Sequence, residues 1–495
     1  MPTTRSIPML SSITLTFTAV LGCATVDDPE SLGPASEPPM LDLSTIEGAQ
    51  ARALAILDAQ REDHLADVDE VWIEDTRIDP WGHTHTRVTQ TLDQIPVFGA
   101  GAVVHTDAHG AFTELTDGLV HDLAVDTTPR LSARAAIDRA VDATGGTDGL
   151  SSPPWAELRI LRRAAHDHLT YQVHVPRMQP GSEPTRPVVF IDAHTGALVW
   201  HYDDLYRWTL KKDRRVTYDT HGSTKLAAAT VGDSSDPILL QAHDSVTATL
   251  KFLHVRAGRD SYDDAGATIH TYGHYGDGYL NAFWDGSGEH LVLGDGDGVN
   301  FGPFGVPDIV AHEIGHAIVT YEAGLVNAGE SGALAETTGD IMGAAVADFI
   351  GDDWVFDIGE DCWLPTDPSV ALRTMGHPSD DGSSRDHYSD RYQGEADNGG
   401  IHFNSGIGNH FFYLLSQGGQ HHDPAFRSGH VIDGIGIESA FEIWYRALTV
   451  YMVPSTDFAD ARLATVKAAD DLYGAEVAHQ VATAWFEVGV GGEPI

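Results

Sequence analysis

The chain has 495 residues, with 73 acidic against 29 basic and a formal net charge of −44. Such a charge repels polyphosphate and excludes a nucleic-acid-binding role, whereas 42% apolar and 21% charged residues fit a globular protein. The length predicts about three domains, and two cysteines far apart, Cys23 and Cys362, exclude a disulfide framework.

Residues 1–22 read as an export segment: Arg5 supplies the positive start, and Ile7 to Leu21 is an apolar run too short to stay in a membrane as a spanning helix. The run ends in Val20-Leu21-Gly22-Cys23, which resembles a bacterial lipoprotein cleavage box with Cys23 as the lipidated residue; an ordinary signal peptide holding a cysteine is the alternative. Either reading predicts a protein outside the cytoplasm, secreted or held at the outer surface, with Cys23 as its only attachment to a membrane. Residues 23–43, rich in Pro, Ser, Glu and Asp, read as a disordered tether. A monomer is expected.

From 44 to 125 the pattern predicts a helix over Ile46 to Ala66, a polar strand over Thr84 to Thr91 and a further strand through Gln94-Ile95-Pro96-Val97-Phe98-Gly99-Ala100-Gly101-Ala102-Val103-Val104. Gly99 and Gly101 are not a dinucleotide loop, because no third glycine opens a helix after them. A second unit, 126–205, carries a helix near Ala135 to Ala143, strands at Leu169 to Val175 and Val188 to Ile191, and the ending Asp192-Ala193-His194-Thr195-Gly196-Ala197-Leu198. The basic run Lys211-Lys212-Asp213-Arg214-Arg215 could attract a processing protease, and a junction is expected between residues 200 and 220. Val216 to Leu293 reads as β-like and turn-rich, with a structured turn at Gly258 to Asp264. Asp295-x-Asp297-Gly298 starts like a helix-loop-helix calcium loop but has Val306 where the twelfth position needs Glu.

The stretch Ala311-His312-Glu313-Ile314-Gly315-His316-Ala317 carries the most chemistry. At about 100° per residue, His316 falls near 40° and Glu313 near 100° from His312, so all three share one helix face. Val310, Ile314, Ala317 and Tyr321 form the opposite, apolar stripe. With 27 histidines in the chain the motif needs further ligands to be persuasive. A catalytic zinc takes three protein ligands and keeps one open position, and His2Glu is a recognised set. A second helical pattern from Glu330 places Glu336 24 residues after His312, within reach if the helices pack antiparallel. Asp340, one turn on, can accept the outer N–H of a ligating imidazole. Helices are predicted over Ile407 to Leu415, over Glu438 to Val450 and from about Asp457.

HEIGHAIVTYEAGL followed by ESGALAETTGD resembles the thermolysin-like (M4) zinc metallopeptidases, with the third ligand at the family's spacing. Three further stretches agree: Asn281-Ala282-Phe283-Trp284-Asp285-Gly286 resembles the family's substrate-binding edge strand, Ala371 to Met375 with Asp386-His387-Tyr388 its specificity region, and Asp397 to Gly406 the segment with its second catalytic histidine. The passage Gln94 to Val104 resembles the fungalysin/thermolysin propeptide motif, and the ending at Asp192 to Leu198 resembles the PepSY unit. The resemblance implies an α+β, two-lobed thermolysin-like zincin, its β-rich lobe with the active-site helix at 206–321 and its α-helical lobe at 322–495. Propeptide units at 44–125 and 126–205 would precede it, acting as inhibitor and folding assistant; a permanent N-terminal binding domain is the other reading of those units.

The resemblance further implies that zinc is held by His312, His316 and Glu336, that Glu313 handles the water proton, and that His402, oriented by Asp397, stabilises the oxyanion. Asn327 stands where the family has a tyrosine, which puts that part of the oxyanion site in doubt, and Ala335 replaces a usual Asn. Asn281 and Arg373 would hold the peptide backbone and Ala282 would pair as an edge strand. Phe301, Ile309, Ile358, Cys362 and Leu372 would form an apolar pocket favouring cleavage before a hydrophobic residue. Asp308, Asp353, Asp357 and Glu360 resemble calcium-holding positions, although Ala347 and Val355 stand where acids are expected. Two rival readings use the same residues: a zinc-binding pseudo-peptidase, and a calcium-dependent surface-binding protein.

Overall fold

The computed structural model describes residues 44–60, 70–177, 185–204, 215–216, 236–286, 289–364 and 371–494. The export segment, Cys23, the tether and the basic run from Lys211 to Arg214 lie outside the described residues.

The N-terminal part is one twisted sheet with a helix on each half. Helix α1 (Ile46–Gln60) is followed by β1 (Glu70–Ile78), β2 (Thr84–Leu92), β3 (Ile95–Thr106) and β4 (Phe112–Gly118); then come α2 (Ala133–Ala143), β5 (Trp155–Arg163), β6 (His166–His174), β7 (Pro187–Asp192) and β8 (Leu198–Asp203). The eight-stranded sheet runs β1-β2-β3-β5-β6-β7-β8, with β4 also on β3. Neighbours are antiparallel except β3 and β5, which meet in parallel at Val97 and Ile160. Strand β3 thus joins two units, each with its own core. Ala53, Ile56 and Leu57 of α1 pack on Val88, Ala102 and Val104. Ala136, Ala140 and Val141 of α2 pack on Ile160, Leu169, Val173 and Ile191. Ser132 caps α2 by accepting the N–H of Ala135.

After the two-residue strand β9 (Arg215–Val216), the region expected to be β-like contains a helix, α3 (Pro237–Phe252), prolonged by a π turn over Leu253–Ala257. The reason is local. Asp236 caps the helix by accepting the N–H of Ile238, Pro237 occupies the first turn, and Ala242, Val246, Thr249 and Phe252 recur at three- and four-residue spacing on the buried face. The strands here are short: β10 (His270–Tyr272), β11 (Tyr275–Gly276), β12 (Ala282–Asp285) and β13 (His290–Leu293), with β12 at the edge of the order β10-β13-β12. The turn at Gly258 to Asp264 is held by Asp264 Oδ1, which accepts the Asp260 N–H, and by Asp263, which accepts those of Ala265 and Ala267.

Helices α4 (Pro307–Tyr321) and α5 (Gly329–Ile350) form the centre of the main core. The short pair β14 (Asp357–Ile358) and β15 (Arg373–Thr374) follows, then α6 (Ala396–Gln417), α7 (Ile437–Arg446) with a π turn to Tyr451, α8 (Phe458–Tyr473) and α9 (Ala475–Glu487). A reciprocal cap between Asp457 and Asp460 starts α8. Trp284, Phe304, Ile314, Ile341, Phe411, Trp444 and Trp485 belong to one continuous buried cluster. Among the described residues no helix is long and apolar enough to cross a membrane.

Candidate metal centre and cleft

Two glycines let the central helices approach closely. A Cβ on Gly315 would lie 3.0 Å from the Gly339 Cα, and one on Gly339 would lie 2.5 Å from His312 Nδ1. With neither present, Glu336 and Asp340 of α5 come against His312 and His316 of α4. The ligand atoms of His312, His316 and Glu336 converge, all three residues fully buried. His312 Nε2 and His316 Nε2 are 2.9 Å apart, and each is 3.6 Å from a Glu336 oxygen. Neither Glu336 oxygen has a hydrogen-bond partner.

That arrangement tests the fit of a metal. His312 Nδ1 donates to Asp340 Oδ1 at 2.8 Å, which leaves the Nε2 of a neutral His312 as a lone pair facing the cluster. A buried carboxylate without donors, beside inward-facing imidazole nitrogens, is costly unless a cation lies among them. Two nitrogens and one carboxylate suit zinc.

Asp340 is fully used. Besides His312 it accepts Arg373 Nη2 on Oδ1 (2.7 Å), and Arg373 Nε (2.9 Å) and Asn409 Nδ2 (2.7 Å) on Oδ2. Burial alone would raise its pKa, but Arg373 and His312 hold the carboxyl well below the usual range. Arg373 is therefore pinned in a bidentate ion pair. Glu313 lies beside the ligands: its Oε2 accepts the Trp284 N–H at 2.9 Å and its Oε1 has no partner. Burial pushes the Glu313 carboxyl up to about 8, with Glu336 adding to the shift.

His402 approaches from α6. Its Nε2 is 3.4 Å from Glu336 Oε2, while Nδ1 donates to Asp397 Oδ1 at 2.6 Å and its backbone N–H to Asp397 Oδ2 at 2.8 Å. Asp397, Asn398, Gly399 and Gly400 all have positive φ (55°, 50°, 89° and 88°), a left-handed turn that two non-glycine residues adopt at a cost. It turns the Asp397 carboxylate back onto His402.

The same turn presents Asn398, which was not foreseen as functional. Asn398 Nδ2 donates to the backbone carbonyl of Asp203 (2.9 Å), and so does Asn327 Nδ2 (3.2 Å). Arg186, just before β7, pairs with Asp285 of β12 at 3.0 Å and with Asp204 at 3.0 Å. The end of β8 thus meets the helical lobe directly at Asp203, and Arg186 joins it to the edge strand. Asn281 Oδ1 accepts the Ala282 N–H, and Asn281 Nδ2 is buried without a partner. Of the expected pocket residues, Ile309, Ile358 and Cys362 are fully buried and Phe301 nearly so, all in the main core, and only Leu372 is partly exposed.

The acidic group near the end of α5 differs from expectation. The residues brought together are Asp352, Glu360 and Asp361, with Asp308 against Glu360, whereas Asp353 is exposed and neither it nor Asp357 belongs to the group. Gly351, at φ +83°, ends α5 in a left-handed turn, and Asp352 follows it with its N–H on the Ala347 carbonyl, which fixes which of the successive acids faces inward. Burial and the neighbouring Asp308 push Glu360 up to about 9, and burial pushes Asp308 up to about 6. Like-charged carboxylates this close call for protons or a hard cation.

Trp284, Asn398, Asn409 and Asp352 are the contributors missed from sequence. Asn409, seven residues after His402, shares its helix face and could have been found by counting two turns; the Trp284 contribution is a backbone N–H and leaves no side-chain signal.

The family description "Thermolysin metallopeptidase, catalytic domain" matches residues 194–320, "Thermolysin metallopeptidase, alpha-helical domain" matches 323–490, and "Fungalysin/Thermolysin Propeptide Motif" matches 70–117. Bacillolysin of Brevibacillus brevis is 35% identical over 454 residues, covering 84% of this chain and 82% of the relative. Thermolysin of Alicyclobacillus acidocaldarius subsp. acidocaldarius is 34% identical over 473 residues, covering 83% and 84%. Among solved structures, the precursor of protealysin, a metalloproteinase of Serratia proteamaculans, overlaps at 31% identity with a TM-score of 0.44, over 53% of this chain and 82% of that one.

Proposed function

The chain belongs to the thermolysin family of zinc metalloendopeptidases and carries that family's propeptide motif, and on that premise we propose that it is a zymogen whose mature part cleaves peptide bonds on the N-terminal side of hydrophobic residues. The observation that carries the reading is the convergence of His312, His316 and a donor-free Glu336. These three residues hold the zinc, which when bound supplies Lewis acidity to a water and to the scissile carbonyl.

The chain's own residues do the rest. Glu313, one carboxylate oxygen fixed by Trp284 and the other without a partner, takes a proton from water and returns it to the leaving amine. His402, its ring set by Asp397, donates from Nε2 to the developing oxyanion. Arg373, aligned by Asp340, and Asn281 bind substrate backbone, and Ala282 on the edge strand β12 extends the sheet. Asn327 supplies an amide to a backbone carbonyl, a role that the Asp203 carbonyl occupies in the precursor. Leu372 and its buried apolar neighbours favour a hydrophobic side chain after the scissile bond.

The first 22 residues direct export, Cys23 is the lipid attachment point, and the units at 44–125 and 126–205, the latter PepSY-like, inhibit the peptidase and assist its folding. Glu360, Asp352, Asp361 and Asp308 hold structural calcium. The deciding experiment compares hydrolysis of quenched peptides carrying Leu or Asp after the scissile bond by the processed protein. Cleavage of the Leu peptide alone supports the reading. No cleavage of either by folded, zinc-loaded protein rejects it.

A further inference from the structure

Beyond the zinc ligands, along the helix that carries His402 and in the loops beside it, five imidazoles gather round one carboxylate. His422 Nε2 lies 2.7 Å from Asp386 Oδ2, and His421 Nε2 lies 3.6 Å from Asp386 Oδ1. The two rings stack with centroids 5.0 Å apart. His410 packs edge-on against His421 at 4.5 Å and lies 5.3 Å from His422. His377 adjoins His422, and His387 adjoins His421. Asp386 and His421 are buried and His422 is partly so.

From this cluster we propose a second transition-metal site, formed by Asp386, His421 and His422 with His410 as its fourth donor, that takes zinc or a similar divalent ion. The three ligand atoms already lie together. Donors around a tetrahedral zinc stand about 3.3 Å apart, between the 2.7 Å and 3.6 Å seen here. The independent observation is His410. Its Nδ1 donates to the Met375 carbonyl at 3.3 Å, so its Nε2 is a lone pair, and that nitrogen is buried without any partner. A backbone carbonyl on one ring nitrogen and no partner on the other are how proteins prepare a histidine for metal, and His410, which packs on His421 but stands outside the three converging ligand atoms, needs only a side-chain adjustment to join them.

The remaining contacts define what loading changes. Asp386 Oδ2 also accepts the Ser379 N–H at 3.1 Å, and Ser379 Oγ lies 3.3 Å from His422 Nε2. His421 Nε2 lies 3.3 Å from the Asp386 carbonyl, and its Nδ1 accepts the Asp423 N–H at 3.1 Å. Metal at Nε2 of each histidine therefore leaves its ring proton on Nδ1, and at His421 this gives up the Asp423 contact. The bound ion ties the loop of Asp386, which follows Arg373, to the helix that also carries His402.

The test uses the full chain in a Glu313→Gln background, which prevents self-cleavage and keeps every ligand. After exposure to zinc and gel filtration, elemental analysis should give about two zinc ions per chain, falling to about one in His422→Gln and about one in His316→Gln. Cobalt loaded into His316→Gln should show absorption bands that vanish in His316→Gln/His422→Gln and weaken in His316→Gln/His410→Gln, and zinc should raise the Tm of the first but not of the second. Because His422 is partly exposed, its variant should keep the far-ultraviolet circular dichroism of the parent. A single zinc abolished by His316→Gln overturns the proposal, and so does a second zinc that survives His422→Gln in folded protein.

Discussion

Glu313 accepts the backbone N–H of Trp284, so the carboxylate that neighbours the metal ligands is fixed by the edge strand β12. A base held by a backbone donor keeps its place whatever side chain the substrate brings. Replacing Glu313 by Gln preserves volume and the contact to Trp284 but removes the proton acceptor. Peptide hydrolysis should fall by about 10²- to 10⁴-fold with zinc content unchanged, and rates within tenfold of the parent would remove Glu313 from the chemistry.

Asp340→Asn should act on the metal. The carboxylate orients His312 and neutralises Arg373, and the amide can satisfy only part of that pairing. Zinc affinity should drop by about 10- to 100-fold in competition with a chelator. Unchanged affinity would mean that the ligands are held without it.

Arg77 of β1 reaches across to Glu322 at 2.6 Å, and the same carboxylate pairs with the buried Arg259. In Arg77→Ala, Glu322 keeps Arg259 and is not stranded. Arg77 is also a third exposed, so the loss should be modest, about 1–2 kcal/mol. It should be read as a roughly 5- to 30-fold faster separation of the N-terminal part from the peptidase once the chain is nicked. Equal rates would place the grip elsewhere.

The same interface is acid-sensitive. His85 Nδ1 and His105 Nδ1 lie 2.8 Å apart, buried, facing Tyr451 with Arg446, Asp79, Asp471, Lys467 and Arg87 around them. Burial, only partly offset by Asp79, pushes His85 from 6.5 to about 4, and burial with His85 holds His105 well below its usual range. The unfolded chain therefore binds more protons across that window. Their contribution is whole above about pH 6.5 and is lost as pH falls toward 4, by roughly 3 kcal/mol for His85. The Tm of the full chain should fall more steeply below pH 6.5 than that of His105→Gln; parallel curves would exclude the pair.

What could be read from the sequence was what lies close along it. His312, His316, Glu336 and Asp340 sit on two successive helices, so helical periodicity and one short connection place them on facing surfaces. The helix α3 was hidden because the polar Ser245 and Thr249 interrupt its buried face and the β-branched Val246, Thr247 and Thr249 favour a strand, so that its signals are an Asp-Pro start and side-chain spacing, not composition. The grip of Asn398 on Asp203 spans 195 residues, and no local pattern encodes it. Asp308 and Glu360 were legible by resemblance, whereas Asp352 was not, because the turn at Gly351 decides which of Asp352 and Asp353 points inward. Asp386 and the two histidines near 421 come from separate loops, where periodicity says nothing.

The left-handed turn from Asp397 to Gly400 ties restraint and activity to one piece of backbone. Asp397 aims His402, and its neighbour Asn398 grips the Asp203 segment, which in the proposed zymogen is the part that leaves before substrate enters. Variants that loosen the grip by reshaping this turn also disturb the histidine, so premature activation through this route is self-defeating. On that reading the Asp203 side can drift in sequence wherever it offers the turn only a backbone carbonyl, whereas the Asn398 side cannot, and over generations the two sides should change at very different speeds.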